Sequence, residues 1–111
     1  MKLEAVAGIH MMTKTILKIV NTKESILIIS RDSCETDKIM NSVIRRLNHQ
    51  IIPYEADLDD KIIFADNTLI NIFSELQIPR IPVDKNYDTI YYNPLIAPEA
   101  LDNLNTRLGG K

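Results

Sequence analysis

Four consecutive branched aliphatic residues, Ile26-Leu27-Ile28-Ile29, constrain this chain more than any other stretch. A run that is apolar at every position has no polar side to turn to water. A strand of that kind must be covered on both faces, which calls for a sheet between two layers of helices. The run is followed by a polar loop, Arg31-Asp32-Ser33, and then by a stretch opening at Cys34. There Ile39, Met40, Val43, Ile44 and Leu47 recur at three and four residues, the spacing of an amphipathic helix, and Asn48-His49 ends it.

The remaining elements are read in the same way. Val6, Ile9, Met12, Ile16, Ile19 and Val20 predict a helix over residues 3–20, with Gly8 weakening its first half. Residues 51–56 read as a second strand, held to an edge or an end by Pro53. Leu69, Ile70, Ile72, Phe73 and Leu76 predict a third helix over 67–76. Two short strands, 80–83 and 89–92, are separated by the turn-forming Lys85-Asn86-Tyr87-Asp88 and predict an antiparallel hairpin. Pro98 sits where prolines start helices, and Leu101, Leu104 and Leu108 give the last helix its stripe before Gly109-Gly110.

At 111 residues, 45% hydrophobic and 25% charged, the chain predicts one globular domain over 1–111. A net charge of −2 supplies no field to recruit nucleic acid, and Arg45-Arg46 with His49 form only a local basic spot at a helix C-terminus. No stretch approaches the length of a membrane span. With one cysteine there is no internal disulfide, so the expectation is a cytoplasmic protein without membrane or nucleic-acid partners. Two distant histidines and a single cysteine argue against a zinc site, and no glycine-rich phosphate loop is present; no cofactor is expected.

The order of these elements resembles that of a thioredoxin. Ile26 to Ile29, a loop and Cys34-Glu35-Thr36-Asp37-Lys38 resemble the family's central strand and Cys-x-x-Cys-Lys. Ile78-Pro79-Arg80-Ile81-Pro82 resembles the segment ending in its cis-proline, and residues 97–104 resemble the start of its last helix. The resemblance implies an α/β thioredoxin-like fold: a mixed four-stranded sheet flanked by helices, with an additional N-terminal helix. It departs from the family at Asp37, which stands in the place of the second cysteine, at Ser33 before the first, and in the absence of tryptophan.

From the resemblance, Cys34 is the candidate nucleophile and Asp37 the occupant of the resolving position. Pro82 and the main chain of Ile81 would shape a groove for an extended peptide. A thiol at a helix N-terminus faces the positive end of the dipole, which favours the reactive thiolate, while Glu35 and Asp37 oppose it. Without a second cysteine, a mixed disulfide at Cys34 would persist until an external thiol such as glutathione, or another protein, resolved it. The expected function is monothiol exchange with a protein disulfide. The alternative is a redox-inactive module that binds a protein partner, with Cys34 as a small buried hydrophobe. Tyr87, Tyr91 and Tyr92 line a surface or, more simply, pack in strands. Asp57, Asp59 and Asp60 read as a solvated acidic turn.

Overall fold

The computed structural model describes residues 2–57, 61–64, 66–81 and 87–108. The branched run forms strand β2, Ile26–Ser30, buried at every position. Ile26 and Ile28 belong to one core cluster, Leu27 and Ile29 to another on the opposite face. Each such side chain contributes roughly 1.5–3 kcal/mol when removed from water, so this strand anchors both halves of the core.

Among the described residues, six strands form one mixed sheet in the order β1-β6-β2-β5-β4-β3. They are β1 (Lys2–Ala5), β2, β3 (Glu55–Asp57), β4 (Lys61–Ile63), β5 (Leu69–Ser74) and β6 (Thr89–Tyr92). β1, β6, β2 and β5 run parallel, while β4 is antiparallel to both β5 and β3. Helices α1 (Gly8–Thr22) and α2 (Ser33–His49) cover one face through Met11, Ile16, Ile19, Ile39, Val43 and Leu47. A 3-10 turn, Glu75–Arg80, and α3 (Pro98–Arg107) cover the other through Ile78, Ala100 and Leu104.

This overturns the expected four-stranded thioredoxin-like sheet. Two of the extra strands come from segments that read otherwise. Residues 2–5 form an edge strand, and the helix starts only at Gly8. The segment read as a third helix is β5, which pairs with β2 along its whole length, Ile26 opposite Ile70 through Ser30 opposite Ser74. Its dense apolar content satisfied a helical template, but Ile70 and Ile72 face one cluster while Leu69 and Phe73 pack on the other. Alternation across a sheet buries Ile70 and Ile72 on one face and partly buries Leu69 and Phe73 on the other, as a single helix stripe would not.

The second predicted strand shifts to Glu55–Asp57. Residues 51–54 carry no strand, and Ile51 takes a left-handed conformation, φ 56°. Of the predicted strand 80–83, Arg80 ends the 3-10 turn and Ile81 caps it, while residues 82 and 83 lie outside the described residues. β6 is a parallel strand between β1 and β2, not half of a hairpin. Tyr87 and Tyr91 are core residues, each 4% exposed. Asp59, Asp60 and Pro82 lie outside the described residues, and no described peptide bond is cis.

Candidate functional site

In a parallel sheet, ligand sites form beyond the carboxyl ends of the strands, where neighbouring strands send their connections to opposite faces. Here that place lies between β2 and β6. β2 leads into α2 on one face, and β6 leads into α3 on the other. Cys34, in the first turn of the helix that follows β2, lies at this edge.

Helix α2 begins one residue earlier than its apolar spacing indicates, because Asp32 caps it. Asp32 is extended, and its Oδ1 accepts the Glu35 N–H at 2.8 Å. Glu35 returns the contact: its Oε1 accepts the Arg31 N–H at 2.8 Å. This is a shifted capping box, with the acid reaching one residue beyond the cap. Asn93, 3% exposed at the end of β6, donates its Nδ2 to both Glu35 carboxylate oxygens at 2.9 Å. Its Oδ1 accepts the Leu95 N–H at 2.9 Å, and its own N–H reaches the Ile29 carbonyl at 3.0 Å. Gly8, opening α1, leaves room for the carboxylate: a Cβ there would lie 2.7 Å from Glu35 Oε2. Beneath, Ser30 and Thr36 share a buried hydroxyl–hydroxyl bond.

The crevice between β2 and β6 is therefore bridged by the chain's own Glu35. Both of its carboxylate oxygens accept from Asn93, and one also accepts from Arg31. A depression of about 340 Å³ remains alongside, between the amino-terminal parts of α1 and α2, lined by Met12 and Ile39 together with the polar Glu35, Lys38 and Ser42. On the β5 side, Glu75 accepts the Ala97 N–H at 2.7 Å and ties the 3-10 turn to the start of α3.

Three large apolar side chains stand exposed around this polar network. Ile9 follows β1, Leu95 follows β6 and Leu76 follows β5, and they are 86%, 69% and 91% exposed. Because these strands are parallel, all three side chains stand at the carboxyl edge. The β2 loop between them presents Arg31, Asp32 and Cys34, also exposed.

Cys34 occupies the second helical position of α2 and is exposed, which removes its reading as a buried hydrophobe. Asp37, three residues on, is exposed on a neighbouring part of the same helix. Ile81 is fully buried in the cluster on the opposite face of the sheet. Its N–H bonds the Ile78 carbonyl at 3.1 Å, and its carbonyl accepts Arg107 Nε at 2.8 Å. Its main chain is thus engaged within the fold. Cys34 and Asp37 thus stand exposed near the start of α2, while Ile81 is buried in the cluster on the opposite face.

Sequence reasoning passed over Gly8, Glu35 and Asn93 as a unit. The Asp32-x-x-Glu35 spacing was a usable capping signal; nothing local marks Asn93, whose role depends on β6 lying beside β2. Among the described residues, no three His, Cys, Asp or Glu side chains gather where they could hold a metal ion. No described helix is long and apolar enough to cross a membrane. In comparisons with known proteins, no family model, no curated protein and no solved structure matches this chain. What stands is an α/β fold with a mixed sheet flanked by helices and a single cysteine near the start of its second helix.

Proposed function

We propose that this chain is a protein-binding module that engages its partner across the carboxyl edge of the parallel strands. The observation that carries this reading is the exposure of Ile9, Leu76 and Leu95 along the edge where the polar crevice is filled from within. The two polar groups that bridge the crevice, Glu35 and Asn93, are engaged with each other and hold the fold together there, and Lys38 and Ser42 line only the neighbouring depression. Three large apolar side chains around one edge favour burial against another protein, with Arg31 and Asp32 between them supplying orientation.

A photo-crosslinking residue placed at 76 or 95, with 17 on the outer surface of α1 as control, tests this in the native host. The expected result is one discrete protein adduct from 76 and 95, absent from 17 and lost on Ile9→Asp. Equal adducts from position 17, or none from 76 and 95, overturn it.

The exposure of Cys34 supports a second reading, monothiol exchange. In it the Cys34 thiolate attacks a partner disulfide, forms a mixed disulfide and releases the other sulfur as thiolate. Adducts trapped without light, reversed by dithiothreitol and absent from Cys34→Ser, would favour exchange over simple docking.

A further inference from the structure

At the amino-terminal edge of the parallel strands, away from the Glu35–Asn93 network, a cavity of about 340 Å³ opens beside the end of α1 and the turn between β4 and β5. Its wall is mainly apolar, built from Ile19, Ile52 and Phe64, with Ile19 and Phe64 belonging to the core. Three polar residues also line it: Lys23, Asp66 and Thr68.

No described ion pair within 4 Å joins the two charges. Asp66 Oδ1 is occupied by the Thr68 N–H at 3.1 Å and the Thr68 hydroxyl at 2.6 Å. Those bonds hold the Asp66 carboxyl below its ordinary range, with Lys23 near enough to help lower it, so it is ionised at neutral pH. A ligand with only a negative charge would meet Asp66 as well as Lys23. One with only a positive charge would meet Lys23 as well as Asp66. A molecule with both charges and an apolar body complements all three features.

We infer that this cavity binds a zwitterion with an apolar body, its carboxylate at Lys23, its ammonium at Asp66 and its side chain against Ile19, Ile52 and Phe64. That chemistry belongs to a free apolar α-amino acid or to a short apolar peptide. The cavity lies within the size range of small-molecule sites.

The test is calorimetric titration with L-leucine and leucyl-leucine, beside 4-methylpentanoate, which lacks the ammonium, and isoamylamine, which lacks the carboxylate. The expected result is that at least one zwitterion binds about fivefold or more tightly than either single-charge analogue. Preference between leucine and leucyl-leucine identifies the source. Two variants keep the local backbone: Lys23→Asn, because asparagine tolerates the left-handed cap at 23, and Asp66→Asn, whose oxygen still accepts from Thr68. Each should weaken the zwitterion about fivefold, with amide shifts on binding confined to the cavity walls. Three results would overturn the inference: no heat at roughly 10 mM ligand, equal affinity for the single-charge analogues, or unchanged affinity in both variants.

Discussion

The two edges of the parallel strands are finished by different means. At the carboxyl edge the loops are joined by side chains, with Glu35 linking the β2 loop to β6 through Asn93 and apolar residues left outermost. At the amino edge side chains also join the strands, with Asp88 accepting the Ser25 N–H at 2.8 Å, Ser25 Oγ accepting the Leu69 N–H at 3.3 Å and Glu24 accepting the Thr89 hydroxyl at 3.2 Å. What sets this edge apart is its turns, where Lys23, Ile51 and Asn67 adopt positive φ of 53°, 56° and 70°. Ile51 is the costly one. It follows α2 in a Schellman arrangement, with the Ile52 N–H on the Leu47 carbonyl at 2.9 Å and the Ile51 N–H on Asn48 at 3.2 Å. That position ordinarily holds glycine, and a branched residue there costs about 1–2 kcal/mol. The difference teaches that a side-chain network can order an edge without backbone strain. The turns of the amino edge carry strain in the main chain, at Ile51 above all.

The largest effect should come from cutting the carboxyl network. Asn93→Ala removes a buried amide and leaves Glu35 without its main partner, and should lower stability by about 2–3 kcal/mol in urea denaturation. A double-mutant cycle with Glu35→Ala should show coupling of at least about 1 kcal/mol; additive losses would mean that the two edges do not differ as described. Gly8→Ala comes next, at about 1 kcal/mol of destabilisation, because the new Cβ displaces the Glu35 carboxylate. In a Glu35→Ala background the same change should cost nothing.

At the amino edge the sign reverses. Ile51→Gly should stabilise by about 1 kcal/mol and raise Tm by several degrees, whereas Ile51→Ala should not. A loss of stability with glycine would show that the left-handed turn is not under strain. The smallest effect belongs to the Glu24–Lys18 pair, 3.0 Å apart, which holds the Glu24 carboxyl below its ordinary 4.5. A lowered folded value means that the pair's stabilisation is present above pH 4.5 and fades as pH falls through the folded value. Glu24→Gln should therefore flatten the fall in urea midpoint between pH 5 and 3, most visibly at low salt. An unchanged profile would assign that fall to other carboxylates.

Local signals were enough where one element's neighbours are its own residues. The apolar run of β2, the three-and-four spacing of α2 and the proline that starts α3 all mark elements observed in the structure. They failed at β5 because a short apolar run suits a helix stripe and a doubly buried strand equally well. They failed at residues 2–5, whose strand exists through pairing with β6, some eighty-seven positions along the chain, Lys2 opposite Thr89. The candidate site divides in the same manner. Cys34 and its strand-to-helix junction were visible, and the Asp32–Glu35 cap could have been. Asn93 and Gly8 became part of the site only when three separate loops met.

The sequence by itself determined that β2 must be covered on both faces, that a helix follows it and that the lone cysteine stands at that junction, because burial and helical periodicity are written in neighbouring residues. Tertiary structure alone decided that six strands share the sheet, that β6 lies parallel between β1 and β2, and that Glu35 closes the crevice while Ile9, Leu76 and Leu95 stay in water. Those outcomes depend on which distant segments complete each other's hydrogen bonds and bury each other's side chains, and no local pattern contains that choice.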